Sequence, residues 1–209
     1  STEFVYMPDA DGGHHVDCVM FMDDREIGSL VGSYNSADKG TIDATFKIIE
    51  MPMHVVNGFI PNQLFGLRGK GDGTLTVKGS LDRPDVNGEV FLDSCHLYSV
   101  PYGIDMRFSN DPVRIVGSRL MLENFEMYAN NDNPLTIAGN IDFSNMDNLS
   151  MDVQMKAENY LIIDAKENVK SEAYGKAFIN LYATMKGQLS RLRIKCELSV
   201  LPATDVAYV

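Results

Sequence analysis

The residues best equipped for chemistry crowd near the N-terminus. Asp9-Ala10-Asp11-Gly12-Gly13-His14-His15-Val16-Asp17 sets three carboxylates and two imidazoles within nine residues. Calcium loops gather Asp oxygens around Gly, and His ligates zinc. The spacing follows neither the EF-hand register nor a zinc pattern, so the segment reads as a solvated loop. Gly69-Lys70-Gly71-Asp72-Gly73 imitates a phosphate-binding loop. The strand-like Thr74–Lys78 follows it, which leaves no helix N-terminus to hold an anion. Asp23 and Asp24 could pose as a carboxylate pair, but neighbouring strand residues point to opposite faces, so they read as a turn. Asn148-Leu149-Ser150 matches a glycosylation sequon, a triplet common by chance. Cys18, Cys95 and Cys196 are odd in number, far apart and without a CxxC pair. They suit neither a disulfide framework nor a zinc site and read as small buried hydrophobes. There is no GxSxG, HExxH or Walker A motif, and no GxGxxG opening a helix. The chain is therefore expected to be no enzyme and to carry no catalytic residue, metal or cofactor.

What the sequence organises instead is a sheet. Leu149, Met151, Val153, Met155 and Ala157 alternate with Ser150, Asp152, Gln154 and Lys156. Leu192, Ile194, Cys196, Leu198 and Val200 alternate with Arg193, Lys195, Glu197 and Ser199, and Ala177, Ile179, Leu181, Ala183 and Met185 repeat the pattern. Leu75/Val77, Ile137/Ile141 and Ala44/Phe46/Ile48 are shorter examples. Strict alternation marks strands with one apolar and one wet face. Turns are expected at Asp72-Gly73, Asp85–Gly88, Asn130–Pro134, Asn145–Asn148 and Lys186–Ser190, which implies a meander of short strands. One short helix is expected over Met51–Asn57, with Pro52 near its start and Gly58 after it. Residues 159–173 read as strand in their first half, then as loop or one helical turn. A loose unit of alternating residues with an internal Gly recurs at Gly69–Gly79, Leu135–Phe143 and Met185–Leu189. Gly inside a strand marks a bulge, a bend or a close backbone approach, and a sheet that curls needs such points. The fold class is all-β, an elongated curved sheet of mostly antiparallel strands.

The composition fits. With 44% hydrophobic and 22% charged residues over 209 positions, the chain can build a core. A net charge of −11 argues against nucleic acid and against electrostatic attachment to an anionic membrane. No apolar run reaches the roughly 18 residues of a membrane-spanning helix. Ser1-Thr2-Glu3-Phe4 shows no signal-peptide pattern, and the chain reads as a mature or excised piece. The twelve methionines suit either core filling or an apolar lining that adapts to acyl chains.

Gly66–Val90, with its Gly-bounded strand, short apolar step, Pro84 and Asn87-Gly88, resembles the C-terminal domain of the TamB family, AsmA-like translocation and assembly module proteins. Met53–Leu67 resembles the short helix that leads into that phrase. Ser171–Phe178 with Leu189–Ala207 is similar to Bacteroidetes-type members. The likeness covers 53–209 and is weakest over 1–40. Cys196 stands where the family phrase often has Gly. The resemblance implies a single all-β fragment, 1–209, of a longer envelope protein, folded as a β-taco-like trough with an apolar interior. It implies a periplasmic location with the full-length protein anchored in the inner membrane, phospholipid as ligand, and an outer-membrane barrel of the Omp85 type as partner.

On this reading the trough is lined by Leu75, Val77, Ile137, Ile141, Met151, Val153, Met155, Ile179, Leu181, Leu192, Ile194 and Leu198. The alternatives are a scaffold or chaperone-like module for outer-membrane protein insertion through strand pairing, and an extracellular β-sandwich adhesin. The absence of Trp weighs against sugar stacking in the adhesin. Self-association through sheet edges or the apolar face is a further expectation.

Overall fold

The computed structural model describes residues 2–8, 13–36, 40–59, 65–145, 147–166 and 173–208. Among these the chain is all-β, one antiparallel sheet of fourteen strands. The first six strands are β1 (Thr2–Pro8), β2 (Gly13–Met22), β3 (Arg25–Asn35), β4 (Thr41–Pro52), β5 (Gly66–Ser80) and β6 (Arg83–Ser99). The next four are β7 (Ile104–Phe108), β8 (Val113–Val116), β9 (Arg119–Tyr128) and β10 (Leu135–Asp142). The last are β11 (Ser150–Ala165), β12 (Ala173–Gln188), β13 (Arg193–Val200) and β14 (Asp205–Tyr208). Strands follow in chain order across the sheet, except that β8 bridges β6 and β9, and β14 joins β13 along the same edge of β12.

The strands are longer than the sequence pattern suggests: β5, β6, β11 and β12 run for 15, 17, 16 and 16 residues. Two expected turns are not turns. Asp72-Gly73 lies inside β5 and Asp85–Gly88 inside β6, while the actual β5–β6 turn is Leu81-Asp82. The turns at Asp23-Asp24 and Asn130–Pro134 are present, the former with positive φ at both residues (49° and 61°). The helix expected at Met51–Asn57 is a 3-10 segment at Met53–Phe59, because Met51 and Pro52 still pair in β4 with Gly71 and Lys70. The Asn57 side-chain amide donates to Leu67 O (3.2 Å) and accepts from Leu67 N (2.7 Å), which pins this segment to β5.

The long strands stay in one sheet because bulges interrupt the alternation. Glu50, Ser94, Asn124 and Asn159 all have positive φ (40°, 51°, 53° and 47°). At each, two residues on one strand oppose one on the next: those between Ile48 and Met51, Asp93 and His96, Leu122 and Phe125, and Ala157 and Tyr160. An extra residue reverses the alternation, so Leu122 and Phe125 can face the same side although they are three apart. Polar side chains hold these irregular points. Asp72 Oδ1 accepts from Glu50 N at 2.7 Å, and Asn180 Oδ1 accepts from Asn159 N at 2.7 Å. Asn131 and Asn133 both donate to Asn159 O at 2.8 Å, so the Asn-rich β9–β10 loop clamps the β11 bulge.

Glycine permits close backbone approach at several points, Gly139 and Gly88 among them. A Cβ on Gly139 (φ 129°) would lie 2.0 Å from Asp152 O, and one on Gly88 (φ 151°) 2.1 Å from Thr74 O. These backbones approach as closely as they do only because no side chain intervenes. The curl brings β7 against β11, although β9 and β10 lie between them in the sheet order. Leu92, Cys95, Met106, Phe125, Met127, Leu135, Ala157, Tyr160 and Ile179 meet there as the buried core, with Met53 packed against them. Replacing Gly139 with Ala is expected to lower stability by about 2–4 kcal/mol, from strain plus the clash. Gly117→Ala, at φ 55° with nothing within 4 Å, should cost only about 1 kcal/mol. Denaturant melts of the two variants check this.

Candidate functional site

Directly paired residues share a face, so the register shows what each face carries. One row runs Cys18, Leu30, Phe46, Leu75, Gly88, Ile115, Leu120, Ile141, Met151, Gly187, through β2, β3, β4, β5, β6, β8, β9, β10, β11 and β12. No polar side chain breaks it. Parallel rows join Val16, Gly32, Ala44, Val77 and Val86. Others join Leu135, Ala157, Leu181 and Leu198, and Ile137, Met155, Ala183 and Cys196. The opposite face repeats polar pairs. Asp152–Lys186 (2.7 Å), Asp142–Arg119 (3.0 Å) and Asp43–Lys78 (3.9 Å) are cross-strand ion pairs. Each contributes roughly 0.2–1 kcal/mol.

Apart from Leu192, the sequence-predicted lining residues fall on this apolar face, at graded depth. Leu75, Val77, Ile137, Ile141, Met151, Met155 and Leu181 are half-buried. Val153 (5% exposed) and Ile179 (9%) are buried. Ile194 (62%) and Leu198 (57%) stand open on β13. Leu192 is half-buried and precedes β13 rather than belonging to it. The face therefore closes on itself where β6, β7 and β9 meet β11 and β12, and opens elsewhere. The solvent-accessible area agrees. It is 13016 Å² for 23.2 kDa, against about 9,700 Å² for a compact monomer of that mass.

Other candidate residues take different places. His14 and His15 are consecutive in β2 and so lie on opposite faces, which separates the imidazoles; Asp9–Gly12 lies outside the described residues. His14 stacks between Tyr6 and Tyr34, at centroid distances of 5.2 and 6.2 Å. Among the described residues, no three His, Cys, Asp or Glu gather as a metal site. The cysteines are free, but only Cys95 is fully buried: Cys18 is half-buried and Cys196 is exposed, because no described residue packs over β13. Burial pushes the Cys95 thiol up, and its Sγ donates to Lys70 O. Arg68, His96 and Asp105 form a polar cluster the sequence did not signal, with His96 Nδ1 2.7 Å from Asp105 Oδ1. It sits on the polar face, with Arg68 and Asp105 about half exposed.

Ser118, also missed, is buried and fastens the β8–β9 turn to β6. Its hydroxyl donates to Pro84 O (2.5 Å) and accepts from Val86 N (2.8 Å). No protein-family model, no curated protein and no solved structure matches the chain.

Among the described residues, two buried side-chain oxygens lack a hydrogen-bond partner, Ser109 Oγ and the Tyr160 hydroxyl. Tyr160 is 1% exposed. Burial drives the phenol well above its ordinary range. Tyr160→Phe should leave stability unchanged or raise it by up to about 1 kcal/mol, since an unpaired polar group is removed. Above about pH 10 the unfolded chain loses this proton while the folded chain keeps it, so stability falls with rising pH. The variant should show a shallower alkaline decline in urea melts. A neutral-pH loss above about 1 kcal/mol would show that the hydroxyl is paired.

Proposed function

We propose that this chain is a non-catalytic, phospholipid-binding section of a bacterial envelope protein of the TamB kind, with acyl chains lying along the apolar face. The observation that carries the reading is the unbroken apolar row from Cys18 on β2 to Gly187 on β12. With strands about 4.8 Å apart, nine steps give a contour of about 43 Å. That exceeds one acyl chain, whose length is about half of a ~30 Å hydrocarbon core. A lipid could therefore shift from strand to strand without leaving apolar surface. Each methylene withdrawn from water contributes about 0.8 kcal/mol. The polar outer face keeps the other side of the sheet hydrated. The TamB resemblance supplies the setting: the periplasm, inner-membrane anchoring of the full-length protein, and an Omp85-type barrel as partner in outer-membrane assembly.

Half-buried Met20, Met151, Met155 and Met185 on this face suit a ligand of variable shape, because thioether side chains repack at little cost.

Native mass spectrometry after incubation with phosphatidylethanolamine–phosphatidylglycerol vesicles tests the reading. The unaltered chain should retain phospholipid. Leu75→Glu, which puts a carboxylate in the row, should reduce retention at least about tenfold. Thr76→Glu, on the same strand but the opposite face, should retain it. No lipid on the unaltered chain, or equal retention by both variants, would refute the reading, with circular dichroism confirming that both variants fold.

A further inference from the structure

The sheet order ends at β13, whose outer backbone edge pairs with no described strand. All eight residues of β13 are exposed. Its apolar row, Ile194, Cys196, Leu198 and Val200, extends the apolar face and then stops in solvent. Its other row is Arg193, Lys195, Glu197 and Ser199. Among the described residues, none of Arg193, Lys195 and Glu197 forms an ion pair. Edge strands with free backbone groups and apolar side chains recruit another strand, and a charged side chain on the edge is the usual block. That block fails when the incoming strand brings the countercharge to the opposing position.

β13 brings that countercharge to itself. In an antiparallel pair of two copies, only registers that match apolar row to apolar row are open, because a one-residue slip sends every side chain to the wrong face. Centring on Glu197 sets that carboxylate against its own copy. Centring on Lys195 sets two ammonium groups together. Centring on Cys196 sets Lys195 opposite Glu197 twice, Ile194 opposite Leu198 twice, and Cys196 opposite Cys196 on the axis. We propose that the chain forms a two-fold dimer by antiparallel pairing of β13 with β13 of a second copy in the Cys196-centred register. The apolar faces of the two copies then run on as one surface. An isologous contact of this kind closes at two copies. The interface is a single strand, so the dimer is reversible, with a dissociation constant on the order of micromolar.

Sedimentation velocity and thiol cross-linking on the chain as it stands test the proposal without reference to lipid. Opposed cross-strand residues have Cα atoms about 4.5–5.5 Å apart, within disulfide range. Brief treatment with diamide, which accepts two electrons and two protons from a thiol pair, should join Cys196 to Cys196. Peptide mass spectrometry should identify that link. Cys196→Ser should still dimerise but no longer link. Lys195→Glu should weaken the dimer about tenfold, and Lys195→Glu with Glu197→Lys should restore it. A monomer at all concentrations, a dimer indifferent to Lys195→Glu, or a link through Cys18 would overturn the proposal.

Discussion

Everything in this molecule depends on phase: each strand must turn its apolar side chains to the same side as its neighbours. A one-residue slip would expose a whole apolar row to water and bury a polar one. Over fourteen strands the requirement is severe, because strands of 15 to 17 residues accumulate twist and curl until their register with a partner is lost. The bulges at Glu50, Ser94, Asn124 and Asn159 absorb that mismatch. Each inserts one residue at positive φ, and each returns an apolar side chain to the inner face: Met51, Cys95, Phe125 and Tyr160 respectively.

Three of those restored side chains, Cys95, Phe125 and Tyr160, belong to the buried core. The correction of phase and the closing of the sheet are thus one feature. Gly139 and Gly88 permit the curl, the bulges place the side chains it brings together, and the Asn-rich β9–β10 loop holds the β11 bulge in place. The largest buried cluster lies at this end, with Ala44 and Val86 buried outside it, so stability concentrates there and the half-buried rows of β2 to β5 contribute less.

The fold class was legible because alternation is a local property. Leu149–Ala157 and Leu192–Val200 announce strands without any tertiary information, and both lie almost wholly within observed strands. Strand length was not legible. The alternation in Ala44–Ile48 stops just before the Glu50 bulge, and that of Leu149–Ala157 just before Asn159, so a bulge looked like a strand end. Asp72-Gly73 and Asp85–Gly88 have turn composition for other reasons. Asp72 holds the β4 bulge, Asn87 Oδ1 accepts from Gly117 N at 2.8 Å, and Gly73 and Gly88 make room for neighbouring backbone. That the alternating apolar residues share one face was legible as a set. Their gradient from buried Val153 to exposed Ile194 depends on which strands the curl brings together, which no single strand encodes. Ser118 gave no sequence signal, because its partners Pro84 and Val86 are 34 and 32 residues away.

The most direct test of an open apolar face compares neighbouring positions on one strand. An environment-sensitive fluorophore is attached through a cysteine introduced at Phe46 or at Thr45, in a chain whose own cysteines are replaced by Ser. Each labelled chain is then exposed to phospholipid carrying an acyl-chain nitroxide quencher. Strong quenching at position 46 with little at 45 is the expected result, because the two side chains lie on opposite faces of β4. Equal quenching at both positions, or none at either, would contradict an apolar face that takes up lipid.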